Sequence, residues 1–309
     1  MEIVSIIAQN LANLSKNTEG SMLPYPTDDF CNIFHKSIIE TKKMRLKLQL
    51  SCRPNGILSL NYHYALQAVI YKTLQRADPV FSAWLHEHGH EVQAANSDAQ
   101  TSNKRFKLFT FSDLQGLYRL DFDQQTIQFR TDTVEWEVSF WVESAVEKFI
   151  TGLFQHQQFA VITPKGSIDF TVQGVEIITP PMFEETMRFR ALTPICIAEQ
   201  QVGRPQPKYL APDEPNYDRL FLSNLENKVK AAKIDGYTDG SPASLKMLSG
   251  FKKRGIETVK AELNRPIKVI GYTYDFELTA PIEWLKVGFE AGFGVKNSGG
   301  LGFVKVIQR

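Results

Sequence analysis

The chain has 309 residues, of which 43% are hydrophobic and 22% charged, and its formal net charge is +1. This excludes a disordered chain, allows two domains of ordinary size, and gives no global sign of a polyanion binder. No apolar run reaches the ~18 residues of a membrane helix, and the scattered Cys31, Cys52 and Cys196 suggest a reducing cytoplasm without a disulfide framework.

Residues 1–43 differ in character from the rest of the chain. Met1 to Leu14 is apolar but carries Glu2 and no basic start, unlike a secretory leader. A polar stretch and Pro24 and Pro26 come next, so the segment reads as an extension or as the product of a start codon chosen too far upstream. Regular structure is expected from Met44, where Leu46, Leu48 and Leu50 alternate with polar residues as in a strand. Pro54-Asn55-Gly56 is a turn. Asn61 to Arg76 reads as a helix with Tyr62, Leu66, Val69, Ile70 and Leu74 on one stripe. Asp78-Pro79 opens a second short helix, which runs into His86-Glu87-His88-Gly89-His90. Residues 91–104 form a polar loop.

A strand over Phe106 to Phe111, a hairpin through Asp123-Gln124-Gln125 and a strand over Val134 to Val142 come next. A helix over Glu143 to Gln155 and extended segments over Phe159 to Ile178 complete a βαββαβ unit, the ferredoxin-like order. Pro180-Pro181 marks a boundary. A second such unit is expected: a strand over Met187 to Ile197, a helix over Tyr217 to Lys233, strands over Val259 to Leu263 and Lys268 to Leu278, a helix over Pro281 to Glu290, and a last strand over Leu301 to Ile307. The fold class is therefore α+β, with two tandem ferredoxin-like (RRM-like) domains. The extension spans 1–43, the first domain 44–180 and the second 181–309.

Charge is distributed unevenly. Between Lys228 and Lys268 stand ten basic residues against four acidic ones, including Lys252, Lys253 and Arg254. Lys104-Arg105-Phe106-Lys107 forms a second basic cluster. A local basic surface on a near-neutral chain can bind a polyanion.

Before the last strand lies a glycine-rich loop in which Gly292-Phe293-Gly294 is followed, after five residues, by Gly300-Leu301-Gly302. Glycines let backbone N–H groups approach an anion, and Lys296 adds a charge. The loop is neither a dinucleotide fingerprint, since Asn297 stands where a third glycine should fall, nor a P-loop, since no Lys-Ser/Thr pair comes after the glycines. The plain alternative is a turn that only closes a sheet.

The spacing, with Lys296-Asn297-Ser298 inside it, resembles the C-terminal glycine-rich loop of the CRISPR-associated endoribonucleases of the RAMP superfamily, which process CRISPR precursor RNA. Tyr64-Ala-Leu-Gln-Ala-Val-Ile-Tyr71, Ala83-Trp-Leu-His-Glu87, Lys107 to Ser112 and Leu192-Thr-Pro-Ile195 also resemble family segments, so the likeness covers residues 44–309. It implies Tyr71, His86 and Lys107 as catalytic residues, with His88 or His90 as substitutes for His86 and Lys104 for Lys107. It implies RNA binding at Gly292, Gly294, Lys296, Asn297, Ser298, Gly300 and Gly302, while the basic clusters add Lys104, Arg105, Lys252, Lys253 and Arg254. The implied reaction is metal-independent and cofactor-free cleavage of repeat RNA by its own 2′-OH, leaving a 2′,3′-cyclic phosphate and a 5′-OH. Such chemistry needs an acid and a base, which histidine can supply near neutral pH, and a cation for the crowded phosphorane. Expected partners are CRISPR repeat RNA and effector-complex proteins, with no membrane and with homodimerisation left open.

Two other classes stay open. One is a non-catalytic RAMP subunit that only binds guide RNA. The other is a zinc peptidase, because His86-Glu87-His88-Gly89-His90 satisfies the His-Glu-x-x-His pattern. That motif needs both histidines on one continuing helix and a third ligand, whereas Gly89 interrupts it.

Overall fold

The computed structural model describes residues 44–92, 104–204, 206–234, 237–238, 240–258 and 267–307. The expected extension, most of the polar loop and the Val259 to Leu263 strand lie outside the described residues.

Alternation makes Met44–Cys52 the central strand of the first unit, with Leu46, Leu48 and Leu50 in the core. It is flanked antiparallel by Thr133–Phe140 and Gly166–Ile178. The full order across this five-stranded sheet is Phe109–Phe111, Thr133–Phe140, Met44–Cys52, Gly166–Ile178, Gln158–Thr163. A long first helix, His63–Ala77, and a later helix, Glu143–Gln155, share the core through Leu66, Ile70, Leu74, Phe149 and Leu153. The second helix, Pro79–Glu87, starts where Pro79 fixes a helical φ and Asp78 accepts the Phe81 N–H at 2.9 Å.

The second unit repeats the plan. Its sheet order is Ser244–Met247, Asp275–Thr279, Thr186–Ala191, Val304–Val306, with the helices Tyr217–Ala231 and Ile282–Ala291. Ser244–Met247, which the sequence pattern did not mark as a strand, pairs antiparallel with Asp275–Thr279 at the sheet edge. The run expected as one strand from Lys268 divides into Ile267–Thr273 and Asp275–Thr279. The first of these pairs with Lys252–Thr258 as a separate two-stranded ribbon.

The two cores meet through Leu108 and Trp141 of the first unit, which pack into the second unit's core, and through polar contacts. Arg45 points away from Leu46, off the helix-covered face, and its guanidinium donates to the carbonyl oxygens of Val304 (2.8 Å) and Phe289 (2.7 Å). It lies between the rings of Phe289 and Phe303. Ser139 donates to the Glu290 carboxylate, and Thr110 to the Leu301 carbonyl at 3.0 Å. The second unit thus covers part of the first sheet's outer face. Among the described residues no helix is long and apolar enough to cross a membrane.

Candidate active site

The His63–Ala77 and Pro79–Glu87 helices fold back on each other, pinned by Ser82 Oγ donating to the Tyr71 carbonyl at 3.0 Å. A cleft of about 340 Å³ opens between them, lined by Tyr64, Gln67, Tyr71, Lys72 and His86 among others. Tyr71 and His86 meet edge to face, with ring centroids 5.0 Å apart and planes at 83°. Burial pushes the Tyr71 hydroxyl well above its usual range, so it remains a protonated donor. His86 is exposed to the cleft.

Lys107 reaches the same place through an unexpected backbone turn. The run expected as one strand breaks into Arg105–Phe106 and Phe109–Phe111, because Leu108 adopts φ +52°. Leu108 is buried and its carbonyl accepts the Trp141 N–H at 2.9 Å. The break lets Lys107 Nζ donate to the His86 carbonyl oxygen at 2.6 Å. An ammonium has three donors, so two remain. Burial, then the neighbouring Arg105, lowers the Lys107 pKa.

The other histidines are placed differently. Helix ends at Glu87, His88 is an exposed cap, and Gly89 turns the chain at φ +69°. His90 then opens a strand paired with Phe106, and its ring packs edge-on against Trp84. Burial, then Lys233 and Lys107, lowers its pKa. His86 and His90 therefore do not share the helix face that the peptidase motif needs, and among the described residues no three His, Cys, Asp or Glu side chains gather as a metal site.

The glycine loop lies against the first unit. Gln67 of the cleft donates to Ser298 Oγ at 3.3 Å. Gly292, Gly294, Gly300 and Gly302 all have positive φ. Their use is largely internal: a Cβ on Gly302 would lie 1.9 Å from the Phe293 carbonyl oxygen, and one on Gly300 would lie 2.3 Å from the Phe111 ring. Asn297 is buried and donates to the Phe293 and Leu301 carbonyls, each at 2.9 Å, stapling the loop. What the loop shows to solvent is Lys296, at φ +64°, with Ser298 and Gly299 partly exposed.

Lys228, counted in the sequence with the basic surface, is a correction: it is buried beneath this loop. Its ammonium donates to the Gly294 carbonyl at 2.7 Å and to that of Gly292. Burial lowers its pKa strongly. Lys104, Arg105, Lys252 and Lys253 are exposed. Arg105 pairs with Glu91 at 2.7 Å, and Arg254 is engaged by Asp113. Lys260 and Arg265 lie outside the described residues.

A family model described as CRISPR-associated protein Cas6, N-terminal, matches residues 57–176, and one described as CRISPR associated protein Cas6, C-terminal, matches residues 178–306. The chain belongs to the Cas6 family. One relative is the CRISPR-associated endoribonuclease Cas6 1 of Methanocaldococcus jannaschii, 23% identical over 274 residues, which cover 86% of this chain and 94% of the relative. Another is the CRISPR-associated endoribonuclease Cas6 of Pyrococcus furiosus, 24% identical over 255 residues, covering 80% and 82%. Among solved structures, a RAMP protein described as binding different RNA substrates superposes with a TM-score of 0.68 at 19% identity, over 86% of this chain and 100% of that one. A Cas6-related protein from Pyrococcus furiosus gives 0.69 at 17% identity, over 86% and 99%. At such identities these two show the shared fold. Within this Cas6 chain, the two helices place Tyr71 and His86 at the cleft, the turn at Leu108 brings Lys107 to His86, and the glycine loop brings Ser298 to Gln67.

Proposed function

We propose that this Cas6-family chain is an endoribonuclease that cleaves CRISPR repeat RNA without a metal. The observation that carries the reading is the convergence of His86, Tyr71 and Lys107 at a cleft whose Gln67 is bonded to the glycine loop. The relatives from Methanocaldococcus and Pyrococcus, matched over most of their length, are named endoribonucleases.

In this mechanism the ribose 2′-OH upstream of the scissile phosphate attacks phosphorus. The 2′ proton passes to a base, the bond from phosphorus to the 5′-oxygen breaks, and that oxygen takes a proton from an acid. The products are a 2′,3′-cyclic phosphate and a 5′-OH. His86, exposed in the cleft, serves as the acid or base. Tyr71, kept protonated, donates a hydrogen bond to the phosphate. The remaining Lys107 donors stabilise the phosphorane. Lys296 and Ser298 hold the RNA backbone beside the second domain, and Lys104, Lys252 and Lys253 extend the phosphate track. In this reading the first domain, 44–180, carries the chemistry, and the second, 181–309, carries the loop.

The deciding experiment is a single 2′-deoxy substitution just upstream of the scissile phosphate in repeat RNA. Cleavage should stop while binding persists, and EDTA should leave the ribo-substrate reaction unchanged. Normal cleavage of the deoxy substrate overturns the mechanism. Tight binding with no cleavage of either RNA favours the guide-binding subunit.

A further inference from the structure

Asp113, just past the Phe109–Phe111 strand, received no role from the sequence. Its carboxylate accepts both guanidinium nitrogens of Arg254, at 2.6 and 3.2 Å, across 141 residues of chain and between the two units. His63 Nε2 lies 2.8 Å from the same carboxylate, and Tyr62 donates to it at 3.5 Å. His63 is only 1% exposed and is stacked between Tyr62 and Phe111, so it cannot meet RNA.

The partners on either side belong to the proposed RNA site. His63 begins the helix that carries Gln67 and Tyr71. A Cβ on Gly300 would lie 2.8 Å from the His63 ring, so the imidazole also abuts the glycine loop. Arg254 belongs to the Lys252–Thr258 strand of the two-stranded ribbon. That ribbon is hydrogen-bonded to neither main sheet as a strand neighbour. At one end Tyr272 enters the second unit's core and bridges Ile195, and beyond Arg254 its apolar anchorage is the small cluster of Ile256 and Val269 with Cys196 and Leu301. Lys252 and Lys253 stand exposed next to Arg254.

We infer that Asp113 is a positioning residue for RNA, clamping the ribbon through Arg254 so that Lys252 and Lys253 stand ready beside the cleft and the glycine loop. A bidentate guanidinium–carboxylate pair has fixed geometry, and a ribbon held before RNA arrives loses less conformational entropy on binding. The pair also occupies the Arg254 guanidinium, leaving Lys252, Lys253 and, on the partner strand, Lys268 as the ribbon's exposed cations among the described residues. The inference rests on the RNA-cleaving reading.

The test measures binding of labelled repeat RNA, from the CRISPR array of the source genome, against salt concentration. Each phosphate contact contributes about 0.7 to the slope of log K on log salt for a single strand. Wild-type protein comes first: no binding, or a flat slope, sinks the RNA reading itself and leaves the clamp without an object. Given a steep wild-type slope, Asp113→Asn and Arg254→Gln should each lower it by about 1.4, the share of two lysines at about 0.7 each. Each should weaken binding about tenfold while the cleavage rate of Asp113→Asn at saturating RNA stays within about twofold. The double variant should be no worse than either single one, because both break one link. Lys252→Ala with Lys253→Ala should lower the slope in the wild-type background and add nothing in the Asp113→Asn background. A purely structural pair would lower the melting temperature and leave the slope alone. If Arg254→Gln lowers the slope and Asp113→Asn raises or preserves it, Arg254 itself contacts phosphate and the clamp is wrong. If Asp113→Asn does not fold, the same lysine comparison in Arg254→Gln decides.

Discussion

The Lys107 ammonium is 2.6 Å from the backbone carbonyl oxygen of His86. It therefore fixes the end of the helix that presents the imidazole as well as placing a cation beside it. Lys107→Met keeps most of the apolar stem and removes both effects. Its single-turnover cleavage rate should fall by about 10²–10³-fold, the usual loss of a positioned electrostatic donor, with RNA affinity changed much less. A variant that loses affinity and keeps its rate would place Lys107 in the phosphate track only.

His86 is the histidine that shares the cleft with Tyr71. His86→Ala should slow cleavage by about 10²–10⁴-fold with repeat RNA still bound. His88→Ala and His90→Ala should be milder, since His88 is an exposed cap and His90 packs on Trp84. A zinc enzyme would respond otherwise: His90→Ala would match His86→Ala, and EDTA would abolish activity.

Arg45 joins the two units from within. Its loss would strand the Val304 and Phe289 carbonyls and empty the slot between two phenyl rings. Arg45→Ala should cost about 2–4 kcal/mol in denaturant unfolding. A change below about 0.5 kcal/mol would show that solvent reaches the interface.

The glycines of the loop are not equivalent. Gly299 has open space where a Cβ would go, so Gly299→Ala should lie within about 0.5 kcal/mol of wild type in thermal melts. Gly302→Ala combines φ +72° with a clash against the Phe293 carbonyl and should be strongly destabilising. Equal effects at both positions would contradict the packing described for the loop.

The Asp113 carboxyl gives a pH signature. Burial alone would raise its pKa, but His63 and then Arg254 outweigh burial and hold it well below the usual carboxylate range. Tyr62 also faces it. The folded-state pKa being depressed, this stabilisation is present above the unfolded value near ~4. It is lost as pH falls from there toward the folded value. Asp113→Asn should therefore be less stable than wild type at neutral pH, with the difference shrinking as pH falls below ~4. A difference that stays constant down to ~2 would mean that the ion pair contributes nothing.

Local periodicity made much of the fold legible. The alternation of Leu46, Leu48 and Leu50 and the stripe of Tyr62, Leu66, Val69, Ile70 and Leu74 set the inward faces of a strand and a helix, and all of these side chains are buried. Strand and helix repeats are written in the neighbours two, three or four residues away, so the doubled ferredoxin-like plan followed from the sequence, while the strands Ser244–Met247 and Lys252–Thr258 did not. The glycine spacing was equally visible. What each glycine fits was not, since Phe111 faces Gly300 from 189 positions away. The same holds for the polar contacts. Arg45 occupies an ordinary outward position of an alternating strand and is buried only because a second unit covers that face. Lys228 looked like surface charge and lies under the loop. Lys107 needed the positive φ of Leu108, a non-glycine residue with no local signature, to turn toward His86. Asp113 and Arg254 meet because two units pack together, and no pattern within a strand or helix carries that information.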